Sequence, residues 1–154
     1  MKLFLWKHFS KPKEIQLRDY SYLNDDNAEM AALFKRIEKI MKEKKPFLDG
    51  DFSVGDLAHL VYRNKSFVSK TINKMASTNF CMYVNRYRVK YAAEMIKKYP
   101  TMKKSQIAYM SGFNTLPSFN SAFKSMLSVR PSEYLVNDQE CSPQSSSKKK
   151  EGER

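Results

Sequence analysis

Glycine and proline are scarce in this sequence, four and six in 154 residues. So few turn-formers disfavour a chain of short strands and tight hairpins. Two cysteines, Cys81 and Cys141, are too few for a disulfide framework. Cys81 is expected to be a small buried residue, and a reducing compartment fits. The two histidines, His8 and His59, lie far apart, and no Cys/His cluster has metal-ligand spacing. Neither a glycine-rich phosphate loop nor a nucleophile motif occurs. No enzyme activity, catalytic residue, metal or cofactor is therefore expected. No run of about 18 apolar residues occurs, so this segment is expected to make no membrane contact. The opening MKLFLWKHF lacks a full apolar core and a cleavage site. A cytoplasmic location is the expectation.

Acidic residues are the last shortage, and it is local. Residues 53–136 hold 13 basic and 3 acidic residues, against 11 and 9 in residues 1–52 and 4 and 4 in residues 137–154. Nearly all of the +12 net charge thus sits in one segment, which points to a polyanionic partner. Hydrophobic residues make up 42% of the chain. That suits one globular unit, or two very small ones sharing a spacer. Met, Lys, Tyr and Phe are plentiful, so the expected class is all-α.

The longest amphipathic pattern runs from 79 to 99. Phe80, Val84, Tyr87, Tyr91 and Met95 recur at helical spacing, and Ala92, Ile96 and Tyr99 join only in the second half. The buried face is thus expected to turn partway along a helix roughly 30 Å long. A helix with two such halves packs on two partners and serves as a spacer.

Upstream, residues 1–27 show no sustained period. Leu3, Phe4, Leu5, Trp6 and Phe9 need a cover, either this domain or a missing upstream one. Residues 28–45 form an amphipathic helix with Met30, Phe34, Ile37 and Met41 on one side and Leu33 and Ile40 beside them. Packing on the following domain is the expectation, and a dimer contact is the alternative. Ser53-Val54-Gly55-Asp56 resembles a capping box and opens a short helix with Val54, Leu57, Ala58, Leu60 and Val61 as its apolar set. Arg63-Asn64 breaks it, and Asn64 caps a second helix running to about Ala76. Phe67, Val68, Ile72 and Met75 face inward there. Lys65, Ser66, Ser69, Lys70 and Asn73 face outward. Two short helices, a tight turn and a basic polar outer face make a helix-turn-helix pattern over 53–77.

After Pro100 the pattern returns over 103–127. Ile107-Ala108 echoes Leu57-Ala58 and Asn114 echoes Asn64, both at an offset of 50. Phe119, Phe123 and Met126 echo Val68, Ile72 and Met75 at an offset of 51, with Gly112 in the lengthened turn. A final short helix is expected over 131–136, with Pro131 at its first position. From Asn137 the Ser-, Gln-, Lys- and Glu-rich composition reads as a disordered tail over 137–154.

The runs NRYRVKYAAEMI and IAYMSGFNTLPSFNSAFKSMLSVRPSEYL resemble the signature of the AraC/XylS transcription regulators. Matching residues include Tyr83, Arg88, Ala92, Gly112, Phe113, Phe119, Phe123, Lys124, Pro131 and Tyr134. The segment DLAHLVYRNKSFVSKTIN fits the family's N-terminal half, and KPFLDGDFSVGDLA is similar to the lead-in of Bacteroidetes-type members. The resemblance implies a seven-helix domain over 53–136 that binds double-stranded DNA through both units and controls transcription initiation with RNA polymerase. The function it implies is a sequence-specific regulator reading two successive major grooves. A monomer is expected, with a dimer through 28–45 as the alternative. Ser66, Ser69 and Lys70 fall on base-facing positions of the first recognition helix, with Lys65 and Asn73 beside them. Leu116, Pro117, Asn120 and Ser121 fall on those of the second. Arg63, Lys74, Lys103, Lys104 and Lys124 suit phosphate. Arg88 is expected to make internal hydrogen bonds.

Departures from the family pattern carry expectations too. Ser77 and Ser128 stand where members often have glycine, so strained or altered turns are expected. Ser121 stands where members often have Arg or Lys. With no cation there to make a bidentate contact with guanine, the first unit should carry most of the base reading. The first 50 residues cannot make the family's usual sensor domain. The alternative to a DNA-binding regulator is a protein-interaction module of the same fold, with weak or lost DNA specificity.

Overall fold

The computed structural model describes residues 25–134, and these hold six α-helices, a short 3₁₀ turn and no strand. The helices are α1 (Asp25–Glu43), α2 (Val54–Leu60), α3 (Lys65–Ala76), α4 (Phe80–Lys98), α5 (Lys104–Met110) and α6 (Leu116–Leu127). The 3₁₀ turn, Pro46–Leu48, lies between α1 and α2. The expected N-terminal aromatic patch and the expected tail from Asn137 lie outside the described residues.

Local chemistry accounts for most helix starts. At α2 the capping box is complete: the Asp56 N–H donates to Ser53 Oγ, and the Ser53 N–H donates to Asp56 Oδ2 at 2.9 Å. The Ser53 hydroxyl also donates to Asp56 Oδ2 at 2.6 Å, and this bond, followed by the one from the Ser53 N–H, holds the Asp56 carboxyl below its ordinary pKa. Asn64 caps α3 by accepting from the Phe67 N–H at 2.7 Å. Asn79 caps α4 by accepting from the Met82 N–H at 2.9 Å. At α6 the cap departs from the echo of Asn64 by Asn114. The cap is Thr115, which accepts from the Ser118 N–H, and not Asn114. The extra residue in the second turn moves the cap to an offset of 51 and frees Asn114 for another contact.

Two hydrophobic cores share one long helix. Leu33, Ile37, Ile40 and Met41 of α1 join Phe47, Phe52, Leu57, Val61, Val68 and Ile72 in the first. Val89, Ala92, Ala93, Met95 and Ile96 join Ile107, Phe113, Phe119, Phe123, Leu127 and Tyr134 in the second. Tyr83 and Val84 of α4 belong to the first core, so its buried face turns between Val84 and Val89. Tyr91 touches both cores. The apolar side of α1 is occupied within the chain, which leaves that face unavailable for a dimer seam.

The two helix pairs are built alike. Phe119 and Phe123 are fully buried, as Val68 and Ile72 are in the first unit. The tight turns match as well. Tyr62 holds φ 50 and Gly112 holds φ 84. Tyr62 and Gly112 are 50 positions apart, the same offset as the preceding helices. Positive φ is an outlier for a bulky residue. Tyr62 is nonetheless 84% exposed, with the Arg36 guanidinium carbon 5.7 Å from its ring centroid.

Other expectations need correction. Cys81 is exposed, because Tyr83 and Val84 take the core side of the first turns of α4. Five helices of the expected domain, α2 to α6, lie wholly among the described residues, and α1 precedes them. The expected final helix starts later than Pro131: a turn spans 131–133, the first helical residue is Tyr134, and residues 135 and 136 lie outside the described ones. Two buried polar residues escaped the apolar pattern. The Thr71 hydroxyl donates to the Phe67 carbonyl at 2.8 Å, and that of Ser111 to the Ile107 carbonyl at 2.7 Å. Each is thereby satisfied inside its own turn of backbone.

Candidate nucleic-acid interface

The second helix of each pair offers an outward row. On α3 the residues Ser66, Ser69, Lys70 and Asn73 follow the spacing that keeps side chains on one helix face. Ser66, Lys70 and Asn73 are exposed, and Ser69 is half-buried. On α6 the corresponding row is Pro117, Asn120, Ser121 and Lys124, all exposed, with Leu116 40% exposed at the helix start. The rows differ in chemistry. The α3 row includes a lysine at its centre and Lys65 at its start, whereas the only cation of the α6 row stands at its far end.

Backbone chemistry favours an anion at the start of α3. Its first N–H groups have only Asn64 as a cap, and no acidic side chain lies in its first turn. The first turn of α6 also lacks an acid and begins with Pro117 near its N-terminus. Lys103 is the N-cap residue of α5 and makes no side-chain cap bond. Lys103 and Lys124 are exposed, and Lys104 is half-buried.

Two phosphate candidates have partners on α1. Arg63 Nη2 lies 2.8 Å from Glu29 Oε1, with both side chains about half exposed. Lys74 Nζ donates to Asn27 Oδ1. The N-terminal end of α1 thus reaches the turn before α3 and the end of α3. Periodicity in α1 identifies its buried side but not these outward partners.

A groove of about 430 Å³ separates α4 from α6. Met82 and Asn85 form one wall, and Pro117, Ser118, Ser121, Ala122 and Ser125 the other. The start of the spacer helix therefore borders the outward row of α6. Met82, Asn85, Ser118 and Ser125 were not among the expected site residues. Asn85 lies on the side of α4 away from its apolar rows, which is the available sequence signal.

Arg88 is internal, as expected. Its Nε donates to the Phe47 carbonyl at 2.8 Å, and its Nη2 to the carbonyls of Asp49 at 2.7 Å and Gly50 at 3.3 Å. Burial lowers its pKa, though a guanidinium stays charged throughout the working range. It is therefore not a free phosphate ligand.

Among the described residues, no group of three or more His, Cys, Asp or Glu is placed to hold a metal ion. No helix among them is long and apolar enough to cross a membrane.

Known proteins share this arrangement. Residues 57–137 match the model of a helix-turn-helix domain family. The TCP pilus virulence regulatory protein of Vibrio cholerae serotype O1 is 30% identical over 99 residues, 64% of this chain and 35% of that protein. The transcriptional activator RhrA of Rhizobium meliloti is 33% identical over 94 residues, 60% of this chain and 30% of that protein. The chain thus spans about a third of the length of these relatives. Among solved structures, an AraC-type regulator from Chromobacterium violaceum superposes with a TM-score of 0.62 at 17% identity, covering 75% of this chain and all of that one. The C-terminal domain of AraT, a response regulator from Geobacillus stearothermophilus, gives 0.58 at 21% identity, covering 76% of this chain and 88% of that one. With its residues 57–137 matched, the chain belongs to the helix-turn-helix domain family, in its AraC/XylS type.

Proposed function

We propose that this chain binds double-stranded DNA as the output module of a transcription regulator, with α3 and α6 in successive major grooves. One observation carries the reading: two helix-turn-helix units with exposed outer rows stand on a single 19-residue helix. That helix is about 28 Å long, close to the roughly 34 Å of one DNA turn. The excess of cations in residues 53–136 supplies the non-specific attraction. Lys65, Ser66, Ser69, Lys70 and Asn73 read bases in the first groove. Leu116, Pro117, Asn120 and Ser121 approach the second. Lys74, Lys103, Lys104 and Lys124 hold phosphates, and Arg63 does so once released from Glu29. RNA polymerase enters as a partner through the family alone. The module acts as a monomer, in the cytoplasm of a bacterial cell.

Titration of fluorescent duplex against salt tests this reading. Between about 50 and 200 mM salt, affinity should fall by orders of magnitude if roughly six or more phosphates are neutralised. Affinity indifferent to salt, or no binding, would favour an interaction module that has kept the fold without DNA recognition.

A further inference from the structure

A second link runs beside α4 between the two units. The segment 46–52 places its aromatic side chains in the first core: Phe47 stacks on Tyr87 at 5.5 Å, and Phe52 packs on Phe80 at 5.7 Å. Its backbone meets the second unit. A Cβ at Gly112 would stand 2.2 Å from the Phe47 carbonyl oxygen, and one at Gly50 would stand 1.9 Å from Asn114 Oδ1. Asn114 Nδ2 donates to Asp51 Oδ1 at 3.0 Å. Arg88 fastens the segment from α4 through three carbonyls. Its guanidinium carbon also lies 5.7 Å from the centroid of Phe113, a member of the second core.

A helix alone fixes distance along its axis. It leaves the tilt of each unit to weaker side-chain packing. A second strut, bonded to both units and offset from the axis, removes that freedom. Resting on the DNA-binding reading above, we infer that the 46–52 segment is a clasp, and that Arg88, Asn114 and Asp51 are positioning residues that set the spacing and phase at which α3 and α6 meet DNA. Specificity then includes half-site spacing, enforced by residues that touch no base. The same segment follows directly on α1, so whatever moves α1 also moves the strut.

Two measurements test the clasp, one without DNA. Spin labels are placed through Ser69→Cys and Ser121→Cys in the 154-residue chain carrying Cys81→Ser and Cys141→Ser. The distance distribution should be narrow in that background. It should broaden on adding Asp51→Ala, Asn114→Ala and Arg88→Lys together, because lysine cannot span three carbonyls with a fork. Asn114→Ala alone, at an exposed position, serves if the triple variant fails to fold. Distributions of equal width would overturn the clasp. The second measurement uses unlabelled protein and a duplex selected from a random library, with and without two base pairs inserted between the halves. The insertion turns the second half by about 70°. Unmodified protein should lose affinity severalfold, because the easily bent steps preferred under α6 move out of register with it. The clasp variant should show a clearly smaller ratio. An unchanged ratio in the folded variant would also overturn the proposal. If no duplex is bound at all, the functional reading fails while the spin-label result still decides the clasp.

Discussion

Tyr62 and Gly112 occupy the same place in the two helix-turn-helix turns, and both hold positive φ, 50 and 84 respectively. Space around them differs. Tyr62 projects into solvent, whereas Gly112 lies against the Phe47 carbonyl. Strain is tolerated in the first turn, but in the second any side chain meets backbone.

Gly112→Ala should therefore destabilise the domain by at least about 2 kcal/mol, the sum of left-handed strain and a displaced strut. Gly55→Ala is the control. Its Cβ would meet nothing closer than Ser53 Oγ at 3.4 Å. It sits in the first turn of α2, where alanine is the better helix former, so it should be neutral or stabilising by up to about 1 kcal/mol. Urea denaturation compares the two. Equal midpoints would show that the close approach at Gly112 carries no energetic weight.

Ser77 and Ser128 end α3 and α6 at φ 51 and φ 62, where the family often has glycine. Glycine adopts this conformation without a Cβ penalty, though it is freer when unfolded. Ser77→Gly and Ser128→Gly should each stabilise by about 0.5–1 kcal/mol, the left-handed penalty less that entropy. The urea midpoint should rise with an unchanged slope. The sites lie in different units, so the double variant should add. A falling midpoint in either single variant would mean that the serine side chain itself supports the turn.

The ion pair between Arg63 and Glu29 holds a cation that DNA could use. Both side chains are about half exposed, so the pair contributes little stability, under about 1 kcal/mol. Glu29→Gln should leave the melting temperature nearly unchanged. It should raise affinity for any duplex and steepen the salt slope by about 1, as Arg63 turns to a phosphate. A steeper slope is the sensitive readout, since losing a carboxylate raises affinity whether or not Arg63 moves. An unchanged slope would place Arg63 away from the phosphate path.

Local signals were legible in the sequence, and distant partners were not. The Ser53 and Asn64 caps and the turning face of α4 depend on residues within a few positions of one another. Arg63 pairs with Glu29 and Asn114 with Asp51 across the fold, and no periodicity encodes such meetings. Arg88 was expected to be internal from the family pattern, but its three carbonyl partners required the path of the 46–52 segment. Cys81 misled because cysteine is usually buried, whereas its position on the first turn of α4 decided its exposure. The outward rows of α3 and α6 follow from helical spacing, but the groove beside Met82 and Asn85 depends on how α4 crosses α6.

Lys70 stands in the middle of the exposed row on α3, and Lys124 at the end of the row on α6. Lys70 is proposed to reach a base edge, and Lys124, in the last turn of α6, a phosphate. Lys70→Ala should relax sequence preference by about 1–3 kcal/mol. Lys124→Ala should weaken cognate and scrambled duplexes alike. Both are measured on both duplexes by anisotropy. Parallel losses in the two variants would reject the assignment of Lys70 to a base.

Asymmetry between the outer rows sets the form of the binding site. Both recognition helices belong to one chain, and the apolar face of α1 is occupied internally, so one protomer should cover both halves. With α3 and α6 about one DNA turn apart, the footprint should span roughly 20 base pairs on one face of the duplex. Most sequence information should lie under α3, where Lys65, Ser66, Ser69, Lys70 and Asn73 offer donors. Under α6, Leu116, Pro117, Asn120 and Ser121 supply no cation. Their half should show phosphate protection and a preference for easily bent steps rather than defined bases. Hydroxyl-radical footprinting of one-to-one complexes reads both halves together. A symmetric palindrome protected only by two copies would contradict the scheme. It would require a dimer contact outside the buried face of α1, since Met30, Leu33, Ile37 and Met41 already pack inside the chain.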